Sequence, residues 1–216
     1  MPVTFAVLHF SPRHRWWAFG QMGLAGSVLR QVPGLLFFRW MGTGQGRVFS
    51  LRPDFSRYAF LAVWSDTTAA GDFFTTSSFW KNVRDRCSKT EFFRLQTTRS
   101  HGTWDGIQPF SPETTEEEQR PLAVLTRATV RLSALPAFWK NARLAADSLA
   151  AADGLVYSVG MGELPWIRQA TFSIWTSQEA MKNYAYGLSE HRQVIRRKEA
   201  GKWYSEELFA RFQLGP

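Results

Sequence analysis

The chain repeats itself, and that repeat limits its fold more than any other feature. Residues 34–42 (GLLFFRWMG) and 154–162 (GLVYSVGMG) share Gly-Leu, an aromatic ring at Phe37 and Tyr157, and a closing Met-Gly. Ahead of them, Leu24, Ala25 and Leu29 fall against Leu144, Ala145 and Leu149 at unchanged spacing. Behind them come two stretches that end in tryptophan, Arg57 to Trp64 and Arg168 to Trp175. Phe73, Ser78, Val83 and Arg86 then align with Tyr184, Ser189, Val194 and Arg197. A unit on the order of 100 residues is too long for a solenoid repeat and reads as a duplicated domain.

Each copy shows the same order of elements. In the first, residues 4–10, 35–41, 57–64 and 90–97 are apolar runs suited to strands, and 13–32 and 67–86 carry helical spacing, the latter as one helix or two. Asp66 stands where an N-cap belongs. The second copy repeats this with strands at 122–132, 155–161, 167–175 and 207–212, and helices at 135–152 and 177–199. Gly154 ends the first of those helices. A βαββαβ order defines a ferredoxin-like unit with helices on one face of an antiparallel sheet. Two such units cover their open faces by packing sheet against sheet. The expected class is therefore α+β, with tandem ferredoxin-like repeats forming an intramolecular pseudo-dimer of the dimeric α+β barrel type. Residues 1–100 and 122–216 are the two copies. Residues 101–121, with Pro109, Pro112, Pro121 and the acidic run Glu116, Glu117, Glu118, form an aperiodic linker expected on the surface.

Composition narrows the function classes. Net charge is +8, yet no polybasic tail, recognition helix or zinc motif accompanies it, so nucleic acid is not the expected partner. An anionic membrane surface or acidic ligand groups suit that charge. The single cysteine, Cys87, excludes a disulfide framework and fits a reducing cytoplasm. Residues 1–11 lack the basic start of a signal peptide, and no apolar run reaches the roughly 20 residues that span a bilayer. The ten tryptophans and eighteen phenylalanines serve either a compact core or a slot for a flat apolar ligand.

Candidate chemistry lies where the copies differ. In the second helix, Trp80 of the first copy gives way to His191 of the second, beside Arg192, Arg196 and Arg197. A lone histidine is open to a structural role, and the arginines to a solvated helix face. Together they also suit a metal or haem ligand with cations that pair with carboxylates. His9, His14 and His101 lack the HxxxH or HExxH spacing of zinc sites. Gly42, Gly44 and Gly46 read as a turn, not a dinucleotide fingerprint. Cys87, at the end of the first-copy helix, is open to a role as thiolate haem ligand but reads as an inert thiol.

Residues 186–213 (YGLSEHRQVIRRKEAGKWYSEELFARFQ) closely resemble the C-terminal block of the spheroidene monooxygenase family of carotenoid biosynthesis. Residues 78–86 (SFWKNVRDR) and the Met-Gly turns are similar too, so the likeness spans the chain. The resemblance implies a haem-dependent oxygenase that receives electrons from ferredoxin. It would oxidise C2 of an acyclic carotenoid to a hydroxy compound and then a ketone. His191 becomes the iron ligand, and Arg192, Arg196 and Arg197 the partners of the haem propionates. A polyene partitions into membrane, so the resemblance also implies peripheral contact with lipid. Two alternatives share the expected fold: a cofactor-free monooxygenase, and a non-enzymatic module whose cavity holds an apolar ligand.

Overall fold

In a computed structural model the described residues are 1–46, 50, 52–115, 117, 119–164, 166–186 and 203–215, with the backbone alone for 143–147 and 186. They form eight strands and five α-helices. The first half holds β1 (Val3–Phe10), α1 (Arg15–Leu29), β2 (Leu35–Gly44), β3 (Pro53–Trp64), α2 (Thr67–Thr76), α3 (Ser78–Arg86) and β4 (Cys87–Gly102). The second holds β5 (Leu122–Val130), α4 (Leu135–Ala150), β6 (Leu155–Leu164), β7 (Arg168–Trp175), α5 (Gln178–Tyr186) and β8 (Tyr204–Leu214). Several strands outrun the apolar stretches that signalled them: β2 continues through Gly44, and β4 takes in Cys87 at one end and Gly102 at the other.

All strands pair antiparallel in one closed barrel of order β1-β3-β2-β6-β7-β5-β8-β4. Each copy supplies a four-stranded sheet, and the two join through β2–β6 and β4–β8. At the first seam Gly42 pairs with its own counterpart, Gly162, so the pseudo-two-fold axis passes there. The duplication extends to irregularities. A register shift separates Leu35 from Phe37 against β3, and the same shift separates Leu155 from Tyr157 against β7. Gly34 and Gly154 have φ of 73° and 76°, and a Cβ at either would sit 2.4 or 2.5 Å from the Cβ of Ala69 or Ala180. Only glycine fits that turn. Trp64 and Trp175, which end β3 and β7, are 0% and 2% exposed. Their indole N–H groups donate to Thr4 and Ser173 hydroxyls, each at 3.0 Å.

The lumen is a packed core, as expected of eight strands. Phe5 of one sheet meets Phe172 of the other at 4.1 Å between ring centroids, and Met41, Leu61, Val159 and Met161 fill in around them. Polar sets mark its two ends. At one, Tyr157 donates to Glu91 at 2.6 Å, and Lys89 bonds the same carboxylate. Burial, and then the bond to Glu91, keep the Tyr157 phenol protonated. At the other, Arg127, 1% exposed, is ion-paired with Glu206, Asp105 and Glu163. Burial raises the Glu206 pKa, but bonds from the Gly106 N–H, the Thr103 hydroxyl and Arg127 outweigh it and hold the group at about 2.

The linker is exposed over most of its length, as expected, but it is anchored at two points inside the barrel. Trp104 is fully buried, Phe110 nearly so, and both pack in the lumen core beside Phe37 and Phe212. Asp105 and Gly106, with φ of 53° and 75°, make the tight Asp-Gly turn that folds Trp104 back on Ile107. Two isolated anchors leave no periodicity, so the stretch reads as linker although it closes one end of the barrel.

Candidate active-site face on the second sheet

With the lumen full, the faces to compare are those between each sheet and its helices. The outer faces of the two sheets differ sharply. On the first, Trp40 pairs with Phe60 across β2 and β3. These rings join Trp64, Phe73 and Trp80 from β3, α2 and α3 in one continuous core. Phe60 and Trp80 lie 5.9 Å apart, Phe74 and Trp80 4.9 Å. On the second sheet the same ladder position pairs Gly160 with Thr171. Phe38, opposite Ala62, becomes Ser158, opposite Ser173. Ala6 becomes Thr126, and Tyr58 becomes Gln169.

Three aromatic rings are thus replaced by glycine, threonine and serine, which removes roughly 450–750 Å² of aromatic surface at about 150–250 Å² per ring. Among the described residues the apolar packing on the second face falls into two clusters. Leu122, Val124, Leu149, Trp175 and Met181 form one cluster, and Val130, Ala134, Phe138, Trp139 and Ala142 another. Between them runs a strip of small and polar residues: Thr126, Ser158, Gly160, Gln169 and Thr171. Thr126 is exposed where its counterpart Ala6 is buried, whereas Ser158, Gly160, Gln169 and Thr171 are buried. The Thr171 hydroxyl is buried and has no hydrogen-bond partner among the described residues. Leaving such a group unpaired costs about 1–3 kcal/mol, so the position calls for a partner.

The strip lies between the two described ends of the chain that carries the predicted ligands. α5 packs in the first cluster through Met181, and Tyr184 stacks near Trp175 at 5.2 Å. Trp203 and Tyr204 pack against the second cluster. His191, Arg192, Arg196 and Arg197 themselves lie outside the described residues. Trp80, the first-copy counterpart of His191, is core. Cys87 opens β4 rather than lying within the helix, and burial, little offset by a bond with Thr90, pushes its thiol to about 11. It is an inert thiol at neutral pH. No cluster of three or more His, Cys, Asp or Glu occurs among the described residues.

Beside the strip is a cavity of about 350 Å³ at the β2–β6 seam under α1. Phe19, Met22, Phe55, Met161 and Trp166 make its walls apolar, and Gln169, a member of the strip, lies on its border. Trp166 holds a left-handed backbone, φ 67°, with its carbonyl accepting from the Trp139 indole at 3.2 Å. The Tyr58 hydroxyl is a polar group on this border, buried and without a partner among the described residues. Burial, then the charge of Asp54, raises its pKa to about 12, so it remains a donor. Sequence reasoning missed this cavity, because Phe19, Phe55, Tyr58 and Trp166 come from separate elements. It also missed the strip, whose signal was present as Trp40/Gly160 and Phe60/Thr171 in the repeat.

Fold and face together define a duplicated α+β barrel whose first sheet carries aromatic rings on its outer face where the second carries small and polar residues. No family profile matches the chain. It is 32% identical over 214 residues to the spheroidene monooxygenase of Cereibacter sphaeroides, an alignment that takes in 98% of this chain and 66% of that protein. It is 32% identical over 200 residues to the spheroidene monooxygenase of Rhodobacter capsulatus, covering 92% of this chain and 83% of that one. The chain belongs to the spheroidene monooxygenase family. Among solved structures, an aldoxime dehydratase in complex with butyraldoxime shares the fold, with a TM-score of 0.61 at 11% identity over 99% of this chain and 79% of that one.

Proposed function

We propose that this chain is a haem-dependent oxygenase that oxidises C2 of an acyclic carotenoid with dioxygen and reduced ferredoxin. The observation that supports it most is the loss of aromatic rings from the second face, where Gly160 and Thr171 stand in place of Trp40 and Phe60. A flat macrocycle needs a seat without protruding rings, and the small side chains of the strip suit one. The unpaired Thr171 hydroxyl adds a polar contact there. His191 would supply the axial nitrogen, and Arg192, Arg196 and Arg197 the charge for the propionates. Bound haem supplies activation of dioxygen, tuned by its axial ligand and the polarity around it.

The protein's own part is aim and exclusion. The seam cavity, walled by Phe19, Met22, Phe55 and Trp166, takes one end of the polyene and keeps water from it. Tyr58 donates a hydrogen bond to the oxygen at that end, which orients the adjoining carbon. In balance, one methylene, one dioxygen, two electrons and two protons give an alcohol and water. A second round at the same carbon gives a gem-diol, which loses water to a ketone. The test is turnover of spheroidene with reduced ferredoxin under isotopically labelled dioxygen. Labelled alcohol followed by ketone is expected. Unlabelled product, or oxidation that proceeds without a reductant, would refute the reading.

A further inference from the structure

We propose that the α1 side of the first copy is a docking surface for an anionic phospholipid bilayer, set around the mouth of the seam cavity. The motive is an aromatic patch that a soluble face has no use for. Trp16 is 78% exposed, and its ring lies 6.3 Å from Phe19 and 6.4 Å from Phe55, both also exposed. Leu24 and Val28 continue the outer face of α1, whose fifteen residues include one charge, Arg15. A helix apolar on its outer side as well as its buried side belongs against something apolar.

Charge selects the partner. The first 53 residues contain six arginines and no Asp or Glu. Three of these belong to the patch: Arg13 and Arg15 precede Trp16, Arg52 lies three positions from Phe55, and all three are exposed. The first acid in the sequence, Asp54, is half-buried and accepts hydrogen bonds from Ser56. Exposed tryptophan and phenylalanine with exposed arginines close by in sequence suit the headgroup boundary of an anionic bilayer, where aromatic rings insert and cations meet lipid phosphates. A second copy of this basic face would instead repel its twin. Phe19 and Phe55 are at once members of the patch and walls of the cavity. The docked enzyme would therefore draw an apolar chain out of the bilayer without passing it through water. That last step rests on the proposed substrate class; docking does not.

The test uses the full chain and sedimentation with vesicles of phosphatidylcholine alone or mixed with phosphatidylglycerol. Binding to the mixed vesicles and little to the neutral ones is expected. Arg13→Ala with Arg15→Ala should weaken it about 30-fold, at roughly fivefold per arginine. Trp16→Ser should weaken it about tenfold or more. Circular dichroism melts of these surface variants should match the wild type. Equal binding to both vesicle types, no binding, or a dimer in solution that Trp16→Ser dissociates would each overturn the proposal. None of these results bears on haem binding or turnover, so the two readings fail separately.

Discussion

Thr171→Phe restores to the second sheet the ring that Phe60 places on the first. The sign of its effect on stability reveals whether the strip is a slot. If it is, the new ring enters open space, and the substitution removes a buried hydroxyl without a partner among the described residues. Relief of that hydroxyl contributes about 1–3 kcal/mol. At about 2–4 °C per kcal/mol for a chain of this size, the haem-free protein should melt several degrees higher. Haem should then fail to bind, because its seat is filled. If the strip is instead solid core, an added ring strains its neighbours and costs about 1–3 kcal/mol. Thermal melts of haem-free wild type and variant, with haem titrations of both, decide the matter. A lower melting temperature together with undiminished haem affinity would refute the reasoning.

Trp64→Ala and Trp175→Ala should each cost about 3–5 kcal/mol in urea unfolding, since both rings are buried and hydrogen-bonded within their own copies. Glu206 has a folded pKa of about 2 against an ordinary 4.5, so its contribution to stability is complete above pH 4.5 and is lost as the pH falls toward 2. Glu206→Gln should accordingly lower the melting temperature at pH 7 and flatten its fall between those two values.

Much of the fold was legible because both copies carry it. Gly34 and Gly154 mark the same forbidden Cβ, and Met41 and Met161 the same inward position, so one copy checks the other. The anchoring of residues 101–121 escaped because Trp104 and Phe110 are held by tertiary contacts that have no period. The role of Arg127 escaped for a similar reason, since its partners Asp105, Glu163 and Glu206 come from three distant stretches. The candidate site was half legible. The exchange of Trp80 for His191 pointed to the second copy, but the seat itself depends on strand register. Only the pairing of Gly160 with Thr171 shows that two losses of aromatic volume coincide.

The central claim is that the second copy holds haem through His191 while the first, filled by Trp80, does not. Titration of the full chain with haem, followed by visible absorbance, tests it most directly. The account predicts one haem per chain with a sharp Soret band, lost in His191→Ala and kept in Trp80→Phe. A protein that takes up no haem, or a His191→Ala variant with an unchanged spectrum, would contradict it.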